Sequence, residues 1–165
     1  MTDLSKTLHV PPRYRAFLQS ANPVDVQTVT PTERIQLIPA EKLATSQYGQ
    51  TAFEGGWADF QWHKSWITIG RSTLLGDPYF FDIVKLDAQG DCPVYTCMSG
   101  TDTIKPVLCA SSFKQWIQIL AVSMEVAIPF DTSAQNEDME IVFREELAPR
   151  IKAIDVNALR AGHGA

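Results

Sequence analysis

At 165 residues, with 45% apolar and 20% charged side chains, the chain has room for one well-formed core and lacks the composition of a disordered protein. Its net charge of -5 gathers in the second half: residues 1–82 carry 8 acidic and 7 basic side chains, whereas residues 83–165 carry 11 and 7. The sequence shows none of the basic stripe that nucleic-acid binding needs against phosphates, and a basic protein partner, or none at all, fits it better.

The longest apolar run, near Ile117 to Ile128, is broken by Gln118, Ser123 and Glu125, which argues against a membrane span. The opening MTDLSKTLHVPPRYR has no apolar core of a signal peptide. Three cysteines, an odd number, then suit a reducing cytoplasm.

The first predicted element is a helix opened by Pro11 and Pro12, because proline fits a first helical turn and no later one. Tyr14, Phe17 and Leu18 form its inward stripe. Ser20 to Pro31 reads as extended chain or loop, and Arg34 to Ile38 as a short strand with Ile35 and Leu37 on one face. Residues 40–49 allow two helical turns with Leu43 and Tyr48 inward and Gly49 as the stop. A loop follows with Trp57, Phe60 and Trp62, which is either a binding surface or a set of aromatics folded over the core edge.

The densest part of the chain runs from Trp66 to Leu120. Trp66 to Ile69 is a predicted strand, Arg71 to Pro78 its turn, and Tyr79 to Val84 a second, central strand. Lys85 to Asp91 reads as a solvated turn, Pro93 to Cys97 as a third strand, and Val107 to Ala110 as an apolar segment leading into a helix. That helix opens with a capping box in which Ser112 accepts from the Gln115 amide and Gln115 reaches back. Phe113, Trp116, Ile117, Leu120 and Met124 make its apolar face, and Pro129 ends it. After an acidic linker, Met139, Phe143 and Leu147 mark a further helix, with a second short one from Pro149 to Leu159.

Candidate chemistry is sparse. Cys92 and Cys97 lie five apart on a strand and so on opposite faces, and His9, His63 and His163 are scattered, so a metal site is not expected and no cofactor motif is present. Asp77, Asp82 and Asp102 could serve acid–base catalysis, but a turn carboxylate bonding backbone amides explains Asp77 as well. Sheet-edge exposure near Val94 to Cys97 would support a homodimer formed by strand addition.

The blocks W-I-T-I-G (66–70), G-D-P-Y-F-F-D (76–82), P-V-Y (93–95) and S-S-F-K-Q-W-I (111–117), after Pro-Pro-x-Tyr-x-x-Phe-Leu at 11–18, resemble the SUKH superfamily over roughly residues 8 to 122. That group includes fungal regulators coordinating cell-wall assembly with proliferation and bacterial immunity proteins that neutralise nuclease and other toxins. The resemblance implies one α+β domain, a mixed, strongly twisted sheet with helices packed on it, spanning a core of about 8–128 and a helical extension of about 137–159. It further implies that the protein is no enzyme, with no catalytic residues, and that it works by binding another protein. Its matching positions are Trp66, Ile69, Gly70, Gly76, Asp77, Pro78, Tyr79, Phe80, Phe81, Asp82, Val94, Tyr95, Phe113 and Trp116. Two stretches depart from the family pattern: Arg71-Ser72-Thr73-Leu74-Leu75 stands where a Gly- or Asp-rich turn is common, and Thr96-Cys97-Met98-Ser99 where a His or Asp is common.

These readings make Asp87, Asp91, Asp102, Glu137, Asp138 and Glu140 candidates for an interface with a basic toxin domain. Two alternatives stand beside it: a regulatory or scaffold domain docking a cellular protein through Trp57, Phe60 and Trp62, and an enzyme with a site around Asp77 and Asp82.

Overall fold

Pro12 begins α1 (Pro12–Ala21), and the helix buries Tyr14 and Leu18 with Phe17 half-buried beside them. A computed structural model of the chain describes residues 8–47, 62–101 and 103–160. Along it follow β1 (Gln27–Val29), β2 (Arg34–Leu37), α2 (Ala40–Leu43), β3 (Trp66–Ser72) and β4 (Pro78–Asp82). A single 3-10 turn (Ile83–Lys85) then leads to β5 (Val94–Thr96), β6 (Val107–Ala110), α3 (Phe113–Ala127), α4 (Glu137–Ile154) and α5 (Val156–Ala158). Among the described residues the strands form one six-stranded sheet ordered β1-β2-β3-β4-β5-β6, curled into a half-barrel.

The α+β class is as expected, but the sheet is antiparallel at every pairing rather than mixed. Each connection returns the chain directly beside the preceding strand, and even the one that contains α2, between β2 and β3, makes no crossover. Ile67 pairs with Phe81 and Phe81 with Val94, so these three point the same way. Together with Ile35, Leu37 and Tyr79 they form one core with the inward sides of α1, α3 and α4. Thr68, Phe80 and Tyr95 pair in the same manner and occupy the other face, where Trp62 and Trp66 pack on Phe80 with ring centroids 4.8 and 4.9 Å away. Both faces of β4 are therefore covered, and all five of its residues are buried.

Several elements differ from the sequence reading. β1 lies inside the stretch read as extended chain or loop; at three residues it is too short to show a period, and pairing with β2 is what makes it a strand. Arg71 and Ser72 belong to β3 rather than to its turn, because they pair with Gln36 and Ile35. The first helical segment after Pro39 is a single turn, and Tyr48 and Gly49 fall outside the described residues. The expected exchange at the start of α3 is present: Ser112 accepts from the Gln115 amide at 3.2 Å, and Gln115 reaches back with Oε1, which accepts from the Ser112 hydroxyl at 2.9 Å. The Gln115 Nε2 also donates to the Ile154 carbonyl at 3.0 Å, tying α3 to the end of α4.

Of the five residues assigned to the α3 face, Phe113, Trp116 and Leu120 are buried and Ile117 is half-buried, while Met124 is exposed and accepts from the Val29 amide through Sδ. α4 is one helix of 18 residues that passes through Pro149 instead of stopping there. Phe143, Leu147 and Ile151 anchor both of its halves in the common core, and the carbonyl that Pro149 leaves unbonded belongs to the exposed Glu145.

β5 lies between β4 and β6, so Val94 to Thr96 form no sheet edge and the strand-addition route to a homodimer drawn from them is ruled out.

Candidate protein-binding surfaces

The carboxylates nearest the core are consumed by the fold. Asp77 accepts from the backbone amide and hydroxyl of Ser99 at 2.7 and 2.8 Å. Asp82 accepts from the Ser65 hydroxyl at 2.8 Å and sits 4.0 Å from Lys85. Asp91 is placed by the sequence in a solvated turn, yet its side chain is 3% exposed. It accepts from the amides of Cys92, Phe113 and Lys114, capping α3, and it pairs with Arg13 of α1 at 3.0 Å. The turn itself is tightened by Gly90, at φ 74°, against which Pro12 packs so closely that an added Cβ would lie 3.0 Å from the proline ring. Asp91 is therefore withdrawn from any docking surface.

The family-motif positions are packing positions. Phe80, Phe81 and Val94 are fully buried, as nearly are Ile69, Pro78, Tyr79, Phe113 and Trp116, and Trp66 and Tyr95 are half-buried over the outer face. Gly70 leaves room for β2: a Cβ there would come within 3.2 Å of the Gln36 carbonyl oxygen. Gly76, at φ 79°, lets the β3–β4 turn close. Burial raises the pKa of Tyr79, with Cys109 and Glu33 adding to it, and Glu33 accepts both the Tyr79 hydroxyl and the Ser72 hydroxyl at 3.2 and 2.7 Å. Glu33 and Tyr79 line a small cavity of about 110 Å³ between the β1–β2 hairpin and helices α3 and α4.

Trp62 is half-buried and packs edge-on against Trp66, and Trp57, Phe60 and Asp102 lie outside the described residues. Asp87 is exposed and holds its own turn by accepting from the amides of Gln89 and Asp91. Glu137 and Asp138 are exposed at the start of α4, where acidic side chains favour the helix N-terminus, and Asn136 caps it. Glu140 is half-buried and lies 3.8 Å from Arg144.

The structure adds what the acidic count could not give. Helical periodicity puts Asp138, Ile141, Val142 and Glu145 on the outward side of α4, opposite Phe143 and Leu147, and all four are exposed. An apolar pair framed by carboxylates is thus presented on a rigid element. A second exposed apolar spot forms where the two departing stretches meet. The Ser99 hydroxyl donates to the Leu75 carbonyl at 3.1 Å, and beside this clamp Leu75 and Met98 are 70% and 71% exposed.

Sequence reasoning missed three polar residues. Gln47 is buried against β3, and Asp155, 4% exposed, clamps the end of β6 through the amide and hydroxyl of Ser111 while capping α5 through the amides of Asn157 and Ala158. Its only sequence signal was the N-cap spacing before Val156. Arg71 was read as part of a turn that departs from the family pattern and was given no role of its own.

Among the described residues no three His, Cys, Asp or Glu side chains converge as metal ligands do, and no helix is long and apolar enough to cross a membrane. No curated protein and no solved structure matches the chain significantly. Residues 3–119 match the sequence profile of the SMI1 / KNR4 family (SUKH-1), a span that takes in α1, the whole sheet and the first half of α3. The matched span includes the aromatic blocks that build the core, and the chain belongs to the SMI1 / KNR4 family (SUKH-1).

Proposed function

We propose that this chain is a non-catalytic protein-binding domain that acts in the cytoplasm as an immunity protein, capturing a basic toxin domain and blocking it. The observation that carries this reading is the outward stripe of α4, in which Ile141 and Val142 stand between Asp138 and Glu145. Exposed apolar area supplies affinity, and flanking carboxylates supply on-rate and choice of partner. The stripe lies beyond residues 3–119, outside the span matched by the family, where a partner-specific surface can vary without disturbing the shared core. Glu137 and, in part, Glu140 extend the negative field along the start of the same helix. The internal use of Asp77 and Asp82 supports binding over acid–base chemistry.

Calorimetric titration against the toxin domain encoded beside this gene tests the proposal. Saturable binding that weakens as salt rises, and weakens further in Asp138→Lys and Glu145→Lys, is the expected result. Absence of binding to a properly folded toxin domain would overturn it. Docking of a cellular protein through Trp62 has less support, since that ring is already engaged with Trp66 and Phe80.

A further inference from the structure

Arg71 breaks the pattern of satisfied charges. Its Nε is buried and without a hydrogen-bond partner, and its guanidinium makes no ion pair with a described residue. The position is held firmly, because β3 pairs there with Gln36 on one side and Pro78 on the other. The side chain lines a groove of about 410 Å³ together with Lys42, Ser46, Thr73, Gln36 and Asp25. Gln36 and Thr73 spend their polar atoms within the fold: Gln36 donates to the Val26 carbonyl, and the Thr73 hydroxyl accepts from Gln27. Lys42 and Ser46 bring two further side-chain donors to the same groove, and no described residue engages either through its side chain.

We propose that this groove binds a phosphate-class oxyanion, either the free ion or the head of a phosphate monoester. A guanidinium fork offers parallel N–H donors to two oxygens, an ammonium adds a point charge, and a hydroxyl serves a further oxygen. Such a set suits a tetrahedral anion better than a planar carboxylate. Arg71 is half-buried with its Nε shielded, so the outer N–H groups of the fork are the ones that meet the anion. Asp25, held at φ 54°, contributes a carboxylate to the same groove and opposes the anion. The site is therefore weaker than two cations alone would make it, and replacing Asp25 strengthens it. The inference stands apart from the α4 surface and from any toxin.

The test follows the arginine side-chain Nε–H resonances by NMR while inorganic phosphate, glycerol 3-phosphate or acetate is added at constant ionic strength. The expected result is a saturable shift of the Arg71 resonance with both phosphates, and a much weaker one with acetate. Tighter binding of the ester than of inorganic phosphate assigns the site to a monoester; equal affinity assigns it to the free ion. Lys42→Ala weakens binding by roughly tenfold, Asp25→Asn tightens it, and Arg71→Gln abolishes it. Lys42 and Asp25 are exposed, so their variants carry the test even where Arg71→Gln fails to fold. No saturable shift, equal response to acetate, or affinities unchanged in Lys42→Ala and Asp25→Asn would each overturn the proposal.

Discussion

Gln47 grips Thr68 from both ends of its amide: Nε2 donates to the Thr68 carbonyl at 3.1 Å, and Oε1 accepts from the Thr68 amide at 2.8 Å. Thr68 lies at the bulge of β3, just before the residues that pair with β2, so the side chain replaces a missing neighbouring strand.

Gln47→Leu preserves bulk but removes both hydrogen bonds that Gln47 makes to the backbone of β3. A loss of about 2–3 kcal/mol is expected in urea denaturation. Gln47→Glu, which keeps the acceptor and removes the donor, also destabilises.

Asp91 joins α1, the 87–91 turn and α3, whereas its partner Arg13 is partly solvated. Removing the carboxylate strands three amides and a guanidinium, so Asp91→Ala costs about 3 kcal/mol or more. Arg13→Ala costs only about 1 kcal/mol, because the amides keep their acceptor. Chemical denaturation of the two variants, with the double mutant to measure their coupling, checks the asymmetry.

The thiols give a pH dependence. Burial, helped by Asp91, Asp87 and Asp82, pushes Cys92 from the ordinary value of 9.0 up to about 11, and burial raises Cys109 well above the ordinary thiol range. A raised acid pKa means that the folded protein keeps a proton the unfolded chain would release. The contribution is whole below pH 9.0 and is lost as pH climbs towards 11. Folding free energy measured across that window should fall, and fall less steeply in Cys92→Ala. At pH 8 a thiol reagent should label the three cysteines fully only after denaturant is added.

Pro149 within α4 withholds one amide from the helix ladder. Proline inside a helix costs up to about 3 kcal/mol, while its stiffening of the unfolded chain returns about 0.4–1 kcal/mol. Pro149→Ala should therefore stabilise by roughly 1–2 kcal/mol, read as a shift of the denaturation midpoint with an unchanged slope.

What could be read from residue pattern was the part where apolar spacing decides structure. Tyr14 and Leu18, the alternation across β3 and β4, and the stripe of α3 needed no tertiary information beyond a core to face. The antiparallel order and the strand at 27–29 did need it, since three residues carry no period and only pairing fixes them. Pro149 was misread because the local rule for proline is overridden when both halves of a helix are anchored. For the site, acidic composition identified Asp138 and Glu137 as surface groups but could not separate them from Asp91, whose burial depends on a helix 22 residues further along the chain. The exposure of Ile141 and Val142 and the orphaned Nε of Arg71 are properties of faces, visible only once the neighbours are in place.

The strand order that follows the chain order has a kinetic consequence. Each new strand can zip onto the one just made, so the closures are local except at the β2–β3 connection, residues 38–65, and their entropy is otherwise small. Contacts of long reach, such as Arg13 with Asp91 and Ser111 with Asp155, close the two ends afterwards. Folding should then be fast for an α+β protein of this size, with substitutions along the β3–β4 hairpin slowing formation and substitutions at Asp155 chiefly hastening unfolding.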